Sequence, residues 1–325
     1  MRIMRVTDNW QDILEQYNIS DPQFSCRYSQ LYPDTRAFTL EEEGSFAMLI
    51  VQINREFDDF ETPYGYGSYI SNDYSQRFSE HFFSLFIEEC RKMGLIAGII
   101  RFNPLYREPR TDLVNSIFIR NTAYIDRTNH YRDNYSPSCR YMLRRAEKLT
   151  GTVIRSDSRE DFVHFGNIYR EYMHSIDADN ALFFSERYFE KLSGYDFSRL
   201  FLFRDNGTIM GGALFLTNKH APAYYHLQVL KNRDNYPGAG NLLVDRGIED
   251  AFSHGSTSIL LGGGTTSSAE DSLLKFKLSF TAQVTPFNLG TIVIDRTEYN
   301  NRISKCQCSE RYRKYFLAYR YHKED

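Results

Sequence analysis

The sequence lacks the features that mark several common classes of protein. Its five cysteines are an odd number and contain no C-x-x-C pair, so we expect reduced thiols in a cytoplasm rather than disulfides or a zinc site. No apolar run approaches the roughly 20 residues that a membrane span requires, and the N-terminus MRIMRVTDNWQ has no apolar core typical of a secretory signal. The net charge of −3 leaves only a local basic patch for a nucleic acid, and DNA is not an expected partner.

The stretch SILLGGGTTSSAEDSLLKFKLSF, residues 258–280, suggests phosphate binding but lacks both familiar phosphate loops. A P-loop requires G-x-x-x-x-G-K-[ST], whereas Lys275 and Lys277 follow the glycines at a distance and each precedes an apolar residue. A dinucleotide fingerprint requires a third glycine that GGGTTS does not have. Nucleotide hydrolysis is therefore disfavoured. Gly263 and Gly264 either admit a substrate to the edge of a sheet or form a tight exit turn from a strand.

Apolar and aromatic residues, by contrast, are abundant. Apolar residues make up 42% of the 325, and the 24 Tyr and 25 Phe suffice for a large core and for aromatic-lined clefts. A chain of this length predicts about two domains. The polar, basic stretch DRTNHYRDNYSPSCRYMLRRAEKLTG lies between two apolar-rich halves, so we predict one domain at residues 1–135 and another at 136–325.

The second half has the clearer order of elements. EDFVHFGNIYREYMHSI has the apolar spacing of a helix, and Ser185 and Gly194 bound a second, short helix. RLFLF, IMGGALFLT and AYYHLQVL then predict a three-stranded antiparallel meander. NYPGAGN opens the helix LLVDRGIEDAFSHG, the strand SILLGGG comes next, and VTPFNLGTIVID supplies the closing strands.

The first half repeats this plan loosely. The strand SFAMLIVQIN precedes the turn YGYG, a long helix follows a capping box of Asp73 and Gln76, Gly94 ends that helix, and LIAGIIRF predicts a strand. The two halves therefore predict two related α/β (α+β) domains that face each other across a cleft. The tail SERYRKYFLAYRYHKED predicts an amphipathic basic helix, which either packs on its own domain or makes transient contact with an anionic membrane.

The turn before the helix LLVDRGIEDAFSHG is a candidate anion site. The first backbone N–H groups of a helix have no partner within it and carry the positive end of the helix dipole. Gly238 and Gly240 flank Ala239 at this point and Asn241 follows, so a pyrophosphate could approach the backbone closely. The alternative is a simple helix entry without a ligand.

An ordered set of segments resembles a known family. TPYGYGSYIS, YSPSCRYMLRRAEKLTG, AYYHLQV, PGAGNLLVDRGIEDA and LGGGTTSSAEDSLLKFKLSF occur in that order within residues 46–299. Together they resemble the Fem family of peptidoglycan-bridge aminoacyltransferases, related to lipid II:glycine glycyltransferase. They resemble equally the acetyltransferase-like proteins encoded with surface-polysaccharide genes. The resemblance implies tandem GNAT-like domains, each a mixed, mostly antiparallel sheet flanked by helices, and it implies N-acyl transfer.

The resemblance also implies residues at an acyl-transfer centre. A phenylalanine and a lysine of that centre correspond to Phe276 and Lys277, and a tyrosine corresponds to Tyr225 or Tyr224. The implied acyl donor is acyl-CoA, such as acetyl-CoA, or aminoacyl-tRNA, and no metal is implied.

The donor-binding signature of the GNAT superfamily, [R/Q]-x-x-G-x-[G/A], is incomplete here. Gly238 and Gly240 match its glycines, but Asn235 replaces the arginine or glutamine. The sequence also lacks the coiled-coil insertion of the larger, tRNA-using members of the family, so it is similar to the small members.

The candidate catalytic residues each have two interpretations. Lys277 either neutralises a donor phosphate or the oxyanion of a tetrahedral intermediate, or it is a surface lysine whose stem covers apolar neighbours. His226, next to Tyr225, either accepts a proton from the acceptor amine or is a hydrogen-bonded core residue. Asp271 is a second candidate base, or else it caps the following segment.

Two further groups are candidates for substrate binding. Arg140, Arg144 and Lys148 share one helical face, which either binds a nucleotide-sugar diphosphate or a tRNA end, or is a solvated surface. Tyr64 and Tyr66 either form an aromatic platform for a sugar or belong to a turn packed on the core.

These observations predict a cytoplasmic N-acyltransferase. An amine of a cell-envelope or polysaccharide precursor, such as an amino-sugar nucleotide or a lipid-linked precursor, would attack a thioester or ester carbonyl. Positioning, deprotonation of the amine and oxyanion stabilisation would supply the catalysis. The alternative is a non-catalytic module that binds a sugar or a nucleotide on the same fold.

Overall fold

A computed structural model describes residues 4–67, 69–310 and 312–321 of the chain. The α-helices are α1 (Gln11–Gln16), α2 (Cys26–Ser29), α3 (Gln76–Lys92), α4 (Pro137–Ala146), α5 (Arg159–Ser175), α6 (Glu186–Ser193), α7 (Ala239–Ser253), α8 (Ser272–Leu278) and α9 (Arg296–Lys305). The β-strands are β1 (Arg5–Thr7), β2 (Thr35–Glu42), β3 (Ser45–Asn54), β4 (Asp59–Glu61), β5 (Tyr69–Ser71), β6 (Ala97–Arg101), β7 (Asn115–Asp126), β8 (Thr152–Ser156), β9 (Ser198–Asp205), β10 (Thr208–Leu216), β11 (Ala223–Leu230), β12 (Ser258–Gly263) and β13 (Val284–Val293).

The chain folds into two compact units. Unit 1 consists of the described residues within 1–17, 23–119 and 286–325, and unit 2 consists of 18–22 and 120–285. These units differ from the predicted domains 1–135 and 136–325, because the chain leaves unit 1 within β7 and returns to it within β13. The return follows from strand pairing, since residues 289–293 of β13 pair antiparallel with 97–101 of β6.

Each unit repeats one arrangement of strands. The order is β1-β2-β3-β4-β6-β13 in unit 1, with β5 paired to β3, and β7-β12-β11-β10-β9-β8 in unit 2. β4 and β6 are parallel in unit 1, as are β11 and β12 in unit 2. A parallel pair requires a crossover connection, which contains α3 in unit 1 and α7 in unit 2. The predicted α/β (α+β) fold class, with mixed, mostly antiparallel strands flanked by helices in each unit, is confirmed.

The apolar faces of the crossover helices form the cores of the units. In unit 1, Phe78, Phe82 and Phe86 of α3 are buried in one cluster with Leu49 of β3. In unit 2, the cluster that joins α7 to β12 includes Val244, Ile248, Ile259 and Leu261. Complete burial of one such side chain contributes about 1.5–3 kcal/mol. In both helices the buried residues recur at the spacing that places them on one helical face.

Two helix ends show where local prediction succeeds and where it fails. Ser185 caps α6 through a hydrogen bond from the N–H of Tyr188, and Gly194 ends the helix, as the sequence predicts. The predicted capping box at the start of α3 is wrong, because Ser75 is the N-cap residue. Asp73 instead accepts hydrogen bonds from the hydroxyl of Ser45 and the N–H of Ser75.

The predicted helix of the tail is also wrong for the residues that the structure describes. Only a 3₁₀ turn, Ala318–Tyr321, forms there, and residues 311 and 322–325 lie outside the described part. Leu317 and Tyr319 are buried beside Ile96 of unit 1, so the apolar residues of this segment pack on unit 1 without forming an amphipathic helix. Within the described ranges, no helix is both long and apolar enough to cross a membrane.

Candidate functional site

The parallel strands of unit 2 separate shortly after they meet. The ladder between β11 and β12 consists of the pairs Ala223↔Ile259 and Tyr224↔Leu260, although β11 continues to Leu230. Both strands are irregular there, because the register of β12 shifts before Gly262 and β11 has an extra residue, His226, opposite β10. Bulges bend strands and frequently lie beside active sites. We call the region between 225–230 of β11 and 261–263 of β12 the β11–β12 opening.

The corresponding strands of unit 1 remain bridged. β4 pairs with β6 up to Glu61↔Ile99, and the next residue, Thr62, continues the contact. Its N–H donates to the carbonyl of Ile99 (3.2 Å) and its hydroxyl accepts from the N–H of Arg101 (3.0 Å). The Arg101 guanidinium also donates to the Thr62 carbonyl (2.6 Å). The opening in unit 2 therefore has no equivalent at this position in unit 1.

Lys277 lies at the β11–β12 opening. It is on α8, and its Nζ donates to the carbonyl of Gly263 (2.7 Å) and lies 5.6 Å from the centroid of the Tyr225 ring. Tyr224, the neighbouring candidate, is buried, and its hydroxyl donates to the carboxylate of Asp21. Successive side chains of a strand point to opposite faces, so only one of the two tyrosines can contact Lys277. That tyrosine is Tyr225.

The environment of Lys277 disfavours its positive charge. Burial, together with the nearby charge of Arg120, lowers the pKa of its amino group to about 7, whereas Asp271 opposes the shift. An amine with this pKa changes its charge near neutral pH, as many functional lysines do. The alternative of an ordinary solvated surface lysine does not fit these contacts.

Arg120 is a site residue that the sequence did not indicate. It lies on β7, and its Nη1 donates to the carbonyl of Gly264. Its side chain crosses Gly263, where an added Cβ would lie 2.7 Å from the Arg120 Cδ. Gly263 therefore lacks a side chain because Arg120 occupies the space. In the sequence, Arg120 is one basic residue in an apolar strand pattern, SIFIRNTAYID, which carries no functional signal.

Asp271 organises the loop between β12 and α8. One carboxylate oxygen accepts hydrogen bonds from the N–H groups of Leu273 and Leu274, and the other accepts from N–H and hydroxyl groups of Thr265 and Thr266. Burial would raise the pKa of Asp271, but these hydrogen bonds outweigh it and hold the pKa well below its usual range. This geometry favours the capping role, and the role as a base stays a prediction.

His226 is the extra residue of the β11 bulge and is partly buried. Its Nε2 lies 2.6 Å from the hydroxyl of Tyr188 on α6, and its ring lies beside the rings of Tyr188 and Phe184. Burial lowers the pKa of the imidazole to about 3, so His226 is neutral at pH 7. A neutral imidazole can accept a proton only weakly at this pKa, and the base role of His226 stays a prediction.

A chain of hydrogen bonds connects Tyr225 to the first turn of α7. The Tyr225 hydroxyl donates to Oε1 of Gln228, whose Nε2 donates to the carbonyl of Gly240 (3.0 Å). Burial raises the pKa of the Tyr225 hydroxyl, so it remains protonated. Three of the predicted groups, namely the lysine, the tyrosine and the helix entry, are thus brought together in unit 2.

The helix entry itself is packed against α4. Gly238 has a left-handed backbone with φ of +88°, and an added Cβ would lie 2.1 Å from the carbonyl oxygen of Met142. Ala239 and Asn241 are buried, whereas Gly240 is partly exposed. Gly238 therefore has a packing role, and donor binding at residues 238–241 stays a prediction.

The remaining candidates lie elsewhere or have structural contacts. Arg140 and Arg144 are exposed on α4, where Arg140 donates to the carbonyl of Tyr135 (2.5 Å). Tyr64 and Tyr66 belong to unit 1, and the Tyr66 ring packs against Phe287 with 5.4 Å between centroids. Substrate binding by these four residues stays a prediction.

Phe276, the residue before Lys277, is partly buried. Its ring lies 5.5 Å from that of Phe280, centroid to centroid, and both belong to the unit 2 core. Phe276 thus fixes α8 on the sheet. In the described part of the chain, no group of three or more His, Cys, Asp or Glu side chains is arranged to hold a metal ion.

Solved structures with the same architecture include three that cover most of this chain. FemX superimposes with a TM-score of 0.65 and 14% sequence identity over 93% of this chain and 99% of FemX. The chain has a Fem-type tandem GNAT fold. The C-terminal domain of a putative lysylphosphatidylglycerol synthetase from Agrobacterium fabrum gives 0.56 and 14%, over 88% and 92% of the chains. A tandem GNAT protein from the clavulanic acid biosynthesis pathway gives 0.52 and 11%, over 90% and 98%.

Sequence comparison adds no closer relative to this structural similarity. No protein-family model matches the sequence, and no curated protein matches it. The predicted Fem-type tandem GNAT fold is therefore confirmed at the level of structure. Because this similarity shows the fold alone, any inference about the reaction depends on the residues at the β11–β12 opening.

Proposed function

We propose that the protein is an N-acyltransferase whose reaction takes place in unit 2, at the β11–β12 opening. The observation that carries this proposal is the position of the Lys277 amine, which lies beside Tyr225 where two parallel strands separate. Separated strands offer backbone groups that an extended, amide-containing arm of a donor can bind by strand addition. The bridged pair in unit 1 does not offer this arrangement.

In the proposed reaction, the lone pair of an acceptor amine attacks the carbonyl carbon of the acyl donor. The C–S bond of a thioester or the C–O bond of an ester then breaks, and the amine proton ends on the leaving sulfur or oxygen. The ammonium form of Lys277 stabilises the oxyanion that forms on the carbonyl, a contribution that is typically about 10²–10³ in rate. Tyr225 attracts this ammonium through its ring without neutralising it, as a carboxylate would.

The donor in this proposal is acyl-CoA or aminoacyl-tRNA. The resemblance of the sequence to the Fem family and to the acetyltransferase-like proteins implies both donors, and the Fem-type tandem GNAT fold is compatible with them. The acceptor is an amine of a cell-envelope or polysaccharide precursor, such as an amino-sugar nucleotide. The exposed basic residues Arg144, on α4, and Lys148, just after the end of that helix, are compatible with a phosphate-rich ligand.

A mass-shift screen tests the function. The purified protein is incubated with amino-sugar nucleotides and with either acyl-CoA or aminoacyl-tRNA, and new N-acyl products are sought by mass spectrometry. Lys277→Met should lose turnover by about 10²-fold or more. Lys275→Met is the matched control, because Lys275 is on the same helix but is exposed and paired with Glu270. Equal turnover of the two variants in a working assay would remove Lys277 from the mechanism.

Binding measurements distinguish the two donors. Binding of a charged tRNA should weaken steeply with salt, because phosphate contacts release counterions. Binding of acyl-CoA should raise the melting temperature with a weaker dependence on salt. If neither ligand changes the melting temperature at high concentration, the proposed donors are wrong.

A further inference from the structure

Two cationic side chains converge on the end of β12. The Lys277 amine donates to the carbonyl of Gly263 (2.7 Å), and the Arg120 guanidinium donates to the carbonyl of Gly264. They come from different elements, since Lys277 is on α8 and Arg120 is on β7. Consecutive peptide carbonyls therefore hold two cations side by side.

Neither cation has an acidic counterpart in contact. Among residues 4–67, 69–310 and 312–321, no carboxylate lies within ion-pair distance of Arg120 or Lys277. Asp271, the acidic side chain that acts on Lys277, has both oxygens occupied by the loop and the first turn of α8. Buried charges in proteins are normally paired, and two adjacent cations repel each other. The pair is therefore arranged to receive negative charge from outside the chain.

The Arg120 side chain has unused hydrogen-bonding capacity at this point. Its Nε is buried and has no hydrogen-bond partner within the described residues. A guanidinium binds carboxylate and phosphate groups through two parallel N–H donors, and Nε is one of the donors that this fork geometry uses. Arg120, unlike a buried arginine in an ion pair, has no carboxylate partner in the part of the chain that the structure describes, so a ligand anion could satisfy this donor.

We propose that Arg120 binds an anionic oxygen group, a carboxylate or a phosphate, of a substrate, with Lys277 as a second positive charge beside it. The identification of this group with a substrate rests on the proposed acyl transfer, whereas the anion binding itself does not. Arg120 fixes the substrate, and Lys277 remains next to the reacting carbonyl. The two residues thereby couple recognition of the anion to the position of the acyl group.

We call the site formed by Arg120 and Lys277 the anion receptor. Titration with inorganic phosphate and with acetate tests this receptor directly, without an acyl donor. The readouts are calorimetric affinity and the NMR signal of the Arg120 Nε–H, assigned by its loss in Arg120→Gln. We expect one of the two anions to shift this signal, and Arg120→Gln to weaken its binding by about tenfold or more. The tighter anion identifies the source as a phosphate-bearing or a carboxylate-bearing substrate.

Two variants keep this test interpretable. Arg127→Gln removes the same charge from an exposed position just after β7 and should leave anion affinity unchanged. Arg120→Lys keeps the charge but loses the fork, so it should fold and bind the anion with intermediate affinity. In a transfer assay, Arg120→Gln should raise KM for the anionic substrate more than it lowers kcat.

The receptor is overturned if neither anion binds the wild-type protein at millimolar concentration, or if Arg120→Gln and Arg127→Gln bind equally well. Anion binding at Arg120 with no acyl transfer to any acceptor would retain the receptor and contradict the proposed function. Acyl transfer that is unaffected in Arg120→Gln, together with absent anion binding, would retain the function and contradict the receptor.

Discussion

The Lys277 amino group lies 5.6 Å from the centroid of the Tyr225 ring, at the point where β11 and β12 separate. An aromatic ring attracts an ammonium by about 0.5–2 kcal/mol, less than a buried carboxylate would, and it leaves the positive charge uncompensated. Burial and Arg120 meanwhile lower the pKa of Lys277 to about 7. The protein thus keeps a costly charge at one position, which is a property of functional sites rather than of cores.

Lys277→Met should make the protein more stable while removing its activity. The pKa of Lys277 is lower in the folded state than in the unfolded chain, so the wild type loses stability as pH falls from about 10.5 to about 7. The variant does not lose this stability. In urea or thermal unfolding, the difference in stability between the variant and the wild type should therefore grow as pH falls from about 10.5 to about 7, and should stay constant at lower pH. Lys275→Met should show neither effect. A variant that is less stable than the wild type at pH 7 would contradict the cost assigned to this charge.

The pH dependence of kcat/KM should report the charge of Lys277 in the free enzyme. If the ammonium is the active form, activity falls as pH rises through about 7, since the group then loses its proton. Lys277→Arg keeps a permanent charge and should not show this fall, and the ratio of the two profiles removes the contribution of the substrate amine. If kcat/KM of the wild type instead rises with pH through about 7, and this rise is absent in Lys277→Arg, Lys277 is the base.

Asp271→Ala should destabilise the protein by about 2–4 kcal/mol, because it removes an N-cap and several charge-assisted hydrogen bonds. The ionised carboxylate contributes this stability above its ordinary pKa of 3.8, and the contribution is lost as pH falls below that value. Chemical unfolding at pH 7 and at pH 3 measures both. Asp271→Asn should be intermediate in stability. Complete loss of turnover in Asp271→Asn without loss of stability would favour the base role.

Gly238→Ala and Gly240→Ala should separate packing from donor binding at the entry to α7. A Cβ at Gly238 would lie 2.1 Å from the backbone of Met142, so this variant should lose stability and disturb the contact with α4. A Cβ at Gly240 would lie 3.2 Å from the Gln228 side chain, which can move slightly. The free energy of unfolding should therefore fall in Gly238→Ala, whereas the donor KM should change in Gly240→Ala. An unchanged donor KM in a folded Gly240→Ala variant would exclude close approach of the donor at Gly240.

Arg320→Met should strongly destabilise unit 1. Arg320 donates to both oxygens of Asp59, which is fully buried, and to Glu61. Removal of one partner from a buried ion pair costs about 3–5 kcal/mol, because the other charge stays buried. Arg313→Met, an exposed change in the same segment, is the control for thermal unfolding. Similar melting temperatures for the two variants would show that the tail does not hold unit 1 together.

Local pattern was sufficient for the elements whose apolar faces are continuous in sequence. The helices α3 and α7, the β9–β11 meander and the Gly94 and Gly194 helix ends are formed by neighbouring residues, so periodicity and turn chemistry indicated them. The cap of α3 was misassigned, because Asp73 and Ser75 are both good capping residues and only the hydrogen bonds distinguish them. The tail was misassigned because burial against Ile96 outweighed helical amphipathicity.

The site was predictable in part. Resemblance to the Fem family indicated Lys277, but it left Tyr224 and Tyr225 as alternatives, since both are on one strand. Their opposite faces decide between them: Tyr224 contacts Asp21, and Tyr225 contacts Lys277. Arg120 was invisible because it reaches Gly264 across 144 residues of sequence, and no local pattern encodes such a contact.

The sequence by itself determined the α/β class, the tandem repeat of strands and crossover helices, and a lysine after a glycine-rich strand. These are local properties of a chain, since they follow from the order and spacing of apolar, polar and glycine residues. Only the tertiary structure decided the unit boundaries, the separation of β11 from β12, and the meeting of Arg120 with Lys277. Those outcomes depend on which distant strands pair. Pairing is selected by how much of the apolar face of the sheet becomes buried, and no single segment of the sequence specifies that.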